Sequence, residues 1–162
     1  MLRGRSLQIY ADYFLFVLVR FFNTQANTTL GDSMPFKLDH VAFQVSHLET
    51  SINFYKHVLG LELLSKTIDK EHNEAFAYFD LKGGKLELLQ SLDPATDFQP
   101  PEIRPPYCPH LALAVEDLDQ HAAELAKKGV RIIKGPLEIP GMVKWLYIAD
   151  PDNNIIEFVQ WL

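Results

Sequence analysis

Shifted by 70 residues, the chain aligns with itself. His40-Val41-Ala42-Phe43-Gln44-Val45 falls on His110-Leu111-Ala112-Leu113-Ala114-Val115, and Leu86-Glu87-Leu88-Leu89-Gln90 falls on Ile156-Glu157-Phe158-Val159-Gln160. A fixed internal period signals a duplicated structural unit, so whatever one half folds into, the other must match. The hydrophobic pattern predicts one strand, one helix and three strands per half. These run over roughly 37–46, 49–59, 61–68, 74–81 and 85–91 in the first half, and 109–115, 118–128, 130–134, 143–149 and 154–161 in the second. The helices register as well: Leu48, Ile52 and Tyr55 match Leu118, Ala122 and Leu125 at i, i+4, i+7 spacing.

Each helix runs into a glycine, Gly60 or Gly129, suited to a left-handed residue just past the helix end. The second glycine falls one position short of the offset, which predicts a loop deletion. Asp117 is a good N-cap for the second helix, while His47 fills the matching place less well. Turns at Lys82-Gly83-Gly84 and at 150–154 lead into the two Glu-bearing strands as hairpins. The expected fold class is α+β, with two tandem βαβββ modules forming a concave sheet cavity. Module 1 is expected over about 36–92, a proline-dense linker over 93–108, and module 2 over about 109–162, within a domain of 34–162.

Residues 1–33 differ from the rest. Ile9 to Phe22 is apolar but carries Asp12 and Arg20, and it is shorter than the roughly 20 residues that a membrane span needs. Arg3 and Arg5 precede it as they would in a signal peptide, yet the segment that follows is a poor cleavage match. With Met34 as a second possible start, 1–33 is read as an amphipathic extension or as upstream sequence outside the working protein. The formal net charge of −6, with no Lys/Arg cluster, argues against nucleic acid as a partner. Cys108 is the single cysteine, which excludes an intrachain disulfide and thiolate-rich zinc sites and fits a reducing, cytoplasmic setting. Its Pro-Tyr-Cys-Pro context offers no thiolate-stabilising neighbour.

Strand alternation places the polar residues. Val41, Phe43 and Val45 form the bulky face that packs on the helix, leaving His40, Ala42 and Gln44 on the other; Leu111, Leu113 and Val115 leave His110 in the same way. Glu87 and Glu157 each stand between apolar neighbours that take the helix side. Each His precedes its Glu by 47 residues in both halves. Two neutral imidazoles and two carboxylates supply four N/O ligands and balance a divalent cation, which is also the circumstance in which a carboxylate tolerates burial. His40, Glu87, His110 and Glu157 are therefore the candidate metal ligands. Zn, Ni, Co, Mn and Fe all accept such a set. His47, His57, His72 and His121 have no partner in the repeat and are read as solvent-facing.

These residues carry a resemblance. The His-x-x-x-x-Val-x-x-Leu of the first strand and helix start, Phe54-Tyr55, Leu59-Gly60-Leu61, and the stretch Asp150-Pro151-Asp152-Asn153-Asn154 leading to Ile156-Glu157 are similar to the vicinal oxygen chelate superfamily, over about residues 36 to 162. The resemblance implies paired βαβββ modules, a metal at the four positions above, and substrates that bring adjacent oxygens to it. A metal-polarised carbonyl acidifies the proton on its α-carbon, and a glutamate beside the ion can take that proton. By analogy with glyoxalases, Glu157 is the first choice of base and Glu87 the second.

Four ligands rather than three favour proton-transfer chemistry of the lactoylglutathione lyase type. The alternatives are a methylmalonyl-CoA epimerase-like enzyme, and a small-molecule binding or resistance protein using the same cavity. One departure bears on substrate. Gln44 stands where the lyases tend to carry an arginine that pairs with a glutathione carboxylate. Phe76, Tyr78, Trp145 and Tyr147 lie on middle strands as pocket lining or ordinary core. Arg104 is a candidate clamp for an anionic substrate, against the usual reading of a solvated linker arginine. A small-molecule substrate and a homodimer are the expected partners. Either one chain closes its own cavity, or two chains exchange halves so that His40 and Glu87 meet the second copy's His110 and Glu157.

Overall fold

The computed structural model describes residues 36–162, so the extension expected over 1–33 lies outside the described residues. In the first repeat, β1 (His40–Gln44) leads into α1 (Leu48–Asn53), which continues as a wider π-helical segment over Phe54–Val58. β2 (Leu63–Asp69), β3 (Glu74–Asp80) and β4 (Lys85–Ser91) follow. The second repeat has β5 (Leu111–Ala114), α2 (Leu118–Lys127), β6 (Ile132–Ile139), β7 (Val143–Ala149) and β8 (Ile155–Trp161). Each repeat forms a four-stranded sheet, in the orders β1-β4-β3-β2 and β5-β8-β7-β6. The first and last strands of each repeat pair in parallel, because a helix and two further strands separate them in the chain, and the hairpins pair antiparallel. The α+β class and the two βαβββ modules are as the sequence predicts.

The helix starts show how the local sequence sets the geometry. The Asp117 side chain accepts the Gln120 N–H at 2.9 Å, whereas His47 makes no side-chain cap. A second device is common to both repeats. The amide oxygens of Gln90 and Gln160, on β4 and β8, accept the backbone N–H of Leu48 and Leu118 at 2.8 and 2.9 Å. Each strand thus satisfies a donor that its own helix leaves free.

Two expectations on boundaries need correction. The offset between Gly60 and Gly129 is no loop deletion. The extra residue of the first repeat lies within the helix, where the Leu59 N–H bonds the Phe54 carbonyl at 3.0 Å, five residues back, in a π turn. β6 also runs on to Ile139 rather than stopping near residue 134. A register shift at Gly135 lets pairing with β7 resume beyond it. Gly135 has φ +102, and a Cβ there would lie 2.8 Å from the Trp145 carbonyl oxygen, so no other residue fits the bulge without displacing β7.

One apolar cluster takes residues from both repeats. Tyr55, Phe79, Leu86, Leu146, Ile148 and Ile156 have essentially no exposure, and Val41, Phe43, Leu111 and Leu113 pack against them. At about 1.5–3 kcal/mol for each large side chain, this is where the fold gains most of its stability. Each sheet turns its apolar face to this cluster, so the faces bearing His40–Glu87 and His110–Glu157 are the ones turned away from it.

Polar contacts join the repeats around Asp150 and Asp152, and Lys128 Nζ donates to the Val58 carbonyl between the two helix ends. The Tyr55 hydroxyl donates to Asp150 Oδ2 at 2.9 Å, Ser46 and Ser51 donate to the Asp152 carboxylate, and Asn154 Nδ2 donates to the Gln44 carbonyl at 3.1 Å. Asp150 is 5% exposed. Burial pushes its carboxyl up, against hydrogen bonds from Asn154, Tyr55 and Asp152 that pull it down. The related place across the repeat, where the turn after Asp80 meets the end of β5, holds none of this. It is a cleft of about 570 Å³ lined by Leu59, Leu81, Leu113 and Phe158. His121, the repeat counterpart of Ser51, lies there with its ring 4.2 Å from that of Phe158 and Nε2 buried without a partner. The expectation that His121 faces solvent is thereby corrected, since the second helix lays it on the core. His47, His57 and His72 are exposed.

Candidate metal centre

In each repeat the parallel pairing of first and last strand sets the glutamate opposite an alanine, Ala42 to Glu87 and Ala112 to Glu157. The small alanine leaves the histidine two residues earlier free to reach diagonally across to the carboxylate. His40 Nε2 lies 3.4 Å from Glu87 Oε2, and His110 Nε2 lies 3.1 Å from Glu157 Oε2. Both glutamates are largely shielded, with side chains 14% and 16% exposed.

The remaining nitrogen of each imidazole decides which atom faces the carboxylate. His40 Nδ1 lies 2.8 Å from Asp39 Oδ1, and His110 Nδ1 lies 2.9 Å from the Tyr107 carbonyl oxygen. A carboxylate and a carbonyl only accept, so Nδ1 carries the proton in both rings and donates. In the neutral ring Nε2 then keeps a lone pair, pointed at a carboxylate oxygen that also bears lone pairs. Two such atoms at this range call for a cation between them, a proton or a metal ion. An outer hydrogen bond that fixes the ring and bares the other nitrogen is the usual support of a metal-binding histidine. The donor chemistry of both pairs therefore fits a divalent ion.

A tyrosine completes each pair. Strand register sets Tyr78 opposite Glu87 and Tyr147 opposite Glu157. The Tyr78 hydroxyl donates to Glu87 Oε1 at 2.6 Å, and that bond, with burial and the carboxylate's charge, raises its pKa to about 12. Tyr147 is also raised to about 12, by burial first and then by the neighbouring Glu157 carboxylate. The two rings stand edge-on to His40 and His110, with centroids 5.9 and 5.6 Å apart.

The structure thus brings each histidine to the glutamate of its own repeat, but it does not bring the two pairs together. Among the described residues no group of three or more His, Cys, Asp or Glu side chains is placed to hold a metal ion. Arg104 is largely exposed and pairs with Glu102 at 3.4 Å. Cys108 is exposed, with Sγ 3.6 Å from Nδ1 of His110, two residues further along the chain. A cleft of about 410 Å³ beside His110 is lined by Ala42, Gln44, Cys108, Asn154 and Ile155 among others. No helix among the described residues is long and apolar enough to cross a membrane.

Sequence reasoning missed Asp39, Gln90 and Gln160 as partners, and it left Tyr78 and Tyr147 between lining and core. The tyrosines had a signal, since each precedes its glutamate across a hairpin at nearly the same spacing. Asp39 had none, because its repeat counterpart is Pro109.

Comparison with known proteins agrees with this architecture. A family model described as Glyoxalase/Bleomycin resistance protein/Dioxygenase superfamily matches residues 37–158. Metallothiol transferase FosB of Bacillus licheniformis is 32% identical over 122 residues, covering 74% of this chain and 72% of its own. Lactoylglutathione lyase of Neisseria meningitidis is 26% identical over 126 residues, covering 76% and 90%. Among solved structures, the trypanothione-dependent glyoxalase I of Leishmania major superposes with a TM-score of 0.62 at 25% identity, covering 77% of this chain and 86% of that one.

Proposed function

Because the chain belongs to the glyoxalase/bleomycin resistance protein/dioxygenase superfamily, we propose that it is a metal-dependent lyase or isomerase of the glyoxalase type. It moves a proton at the carbon beside a carbonyl of a small substrate. The observation that carries this reading is the pair of imidazole Nε2 atoms, each facing a shielded carboxylate oxygen, 3.4 Å apart in one repeat and 3.1 Å in the other. His40, Glu87, His110 and Glu157 are the ligands on this reading. A divalent ion bound by them would polarise the substrate carbonyl and acidify the neighbouring C–H.

The chain's own residues do the rest. Glu157 takes and returns the proton, in keeping with its role as first choice of base, because Glu87 already has one oxygen held by Tyr78 at 2.6 Å. Tyr147 stands opposite Glu157 across the hairpin and flanks it. Trp145, Tyr147 and Phe76, on the same faces as the glutamates, shield the reacting groups from water.

The full ligand set requires a second copy of the chain. Each sheet spends its apolar face on the shared core, so the two polar faces of one chain point away from that core and each offers half a site. In a homodimer, His40 and Glu87 of one protomer join the partner's His110 and Glu157, which completes the set of four and covers the exposed sheet edges. The single cysteine is consistent with work in a reducing compartment such as the cytoplasm.

A second reading, transfer of a thiol to a small electrophile, is favoured by the 32% identity to the FosB relative. Gln44, in place of a carboxylate-binding arginine, also leaves glutathione itself unassured as the thiol. The deciding experiment combines elemental analysis of the purified protein with turnover assays. The substrates are methylglyoxal with glutathione, methylmalonyl-CoA, and a small epoxide with a thiol. Metal in stoichiometric amount, lost together with turnover in Glu87→Gln and Glu157→Gln, is the expected result. Retention of both in both variants would reject the site.

A further inference from the structure

Asp39 and Tyr78 are the outer partners of the first-repeat pair, and their geometry differs from that of the second. Asp39 is itself largely exposed, yet its Oδ1 is held at 2.8 Å by His40 Nδ1 and at 3.3 Å by Lys85 Nζ. The same ammonium lies 5.2 Å over the Tyr78 ring, so Asp39, Lys85 and Tyr78 form one connected frame around His40 and Glu87. In the second repeat the counterpart of Asp39 is Pro109, which has no acceptor side chain, and the backbone carbonyl of Tyr107 does the equivalent work for His110.

We propose that Asp39 and Tyr78 are positioning residues for the first repeat's half of the metal site. Asp39 holds His40 in the tautomer that bares Nε2, and Tyr78 occupies one oxygen of Glu87 so that the other faces that nitrogen. The proposal rests on the metal reading given above. Free imidazole prefers the proton on Nε2, so the opposite tautomer needs an acceptor at Nδ1, and the Asp39 carboxylate is that acceptor. Glu87 has two oxygens of equal basicity. With Oε1 tied to the Tyr78 hydroxyl, Oε2 is the one left toward His40. The two repeats thus reach the same donor pair by different means, one through side chains and one through backbone, and only the first is open to removal by substitution.

The test uses full-length, metal-free protein with ¹⁵N-labelled histidine, studied by long-range ¹H–¹⁵N correlation well above the ordinary imidazole range. In the wild type, His40 and His110 both carry the proton on Nδ1. Asp39→Ala moves His40 toward the Nε2–H form and leaves His110 unchanged, while Asp39→Asn, whose amide oxygen still accepts, keeps the wild-type tautomer. In competition with a chromophoric chelator, Zn²⁺ affinity falls about 10–100-fold in Asp39→Ala and about tenfold in Tyr78→Phe. Tyr78→Phe also changes the visible spectrum of the cobalt-loaded protein. An unchanged His40 tautomer in Asp39→Ala, or wild-type Zn²⁺ affinity in both Asp39→Ala and Tyr78→Phe, overturns the proposal and leaves the metal reading standing. A wild type that takes up no Zn²⁺ removes the metal reading, and the tautomer measurement, made without metal, still decides the role of Asp39.

Discussion

Gln90 and Gln160 stand at matching ends of β4 and β8, and each turns its amide oxygen onto the first backbone N–H of the helix in its own repeat, across the same 42 residues of chain. The contact locks the last strand of each module to its only helix. Replacing either glutamine by leucine leaves a helix donor unsatisfied, at a cost of about 1–3 kcal/mol. The loss is expected to be larger for Gln90→Leu, because α2 keeps Asp117 as a cap whereas His47 offers α1 none. Urea unfolding of the two single variants compares them.

Tyr55 and Asp150 carry the join between the repeats. Removing the hydroxyl in Tyr55→Phe keeps the ring in the core and deletes one hydrogen bond to a buried carboxyl, which is expected to cost about 1.5–3 kcal/mol. Since Asp150 Oδ2 still accepts from Asn154 at 2.9 Å, the variant should fold. A shift in urea midpoint with an unchanged slope is the expected readout.

His121 gives the fold a dependence on acidity. Burial against Phe158 lowers its pKa, helped by Lys128 and opposed by Glu124. The unfolded chain therefore binds a proton at this residue more readily than the folded one. Stability is intact above the ordinary imidazole pKa of about 6.5 and falls as the pH drops below it toward the lowered folded value. His121→Leu removes no hydrogen bond from Nε2, which has none, and should flatten this loss. Thermal melts of both proteins across that range would show whether the slopes differ.

Three of the six tyrosines should ionise late, among them Tyr55, which burial and the neighbouring Asp150 carboxyl push well up. Tyr78 and Tyr147 are both raised to about 12, against an ordinary 10.0. Ultraviolet difference titration is expected to resolve them as a separate, higher step. Glu87→Gln should bring Tyr78 down while leaving Tyr147 in place, because its hydrogen bond to a charged acceptor leads the causes of the Tyr78 shift and burial leads those of Tyr147.

Exchange of halves between protomers has a signature in mixed samples. A chain lacking the first pair (His40→Ala, Glu87→Ala) and a chain lacking the second (His110→Ala, Glu157→Ala) are each expected to be inactive. Unfolded together and refolded as an equal mixture, they form heterodimers in which one of two sites is intact, giving about a quarter of wild-type activity. No recovery, in a mixture shown to form heterodimers, would refute the shared site.

The duplication made the modules and their chemistry readable because it tests each residue twice. A histidine 47 positions before a glutamate is unremarkable once and informative in duplicate. The strand faces followed from alternation, since Leu86 and Leu88 have no choice but to point at the core. What a comparison of repeats cannot supply is anything the repeats do not share. Asp39 aligned with a proline, His121 with Ser51, and the π turn at Phe54–Val58 had no counterpart. The relation between the two sheets was equally hidden, because either face of a sheet is consistent with its own alternation until the partner is placed.

The seam between the modules is fastened along one margin, where Tyr55, Ser46 and Ser51 grip Asp150 and Asp152, and slack along the other, where His121 and Phe158 border a gap of about 570 Å³. A duplicated protein of this kind has a hinge side and an opening side, whatever symmetry its ancestor had. Breathing motions should therefore begin beneath the turn after Asp80, and amide hydrogens at the end of β5 should exchange with solvent before those at the end of β1.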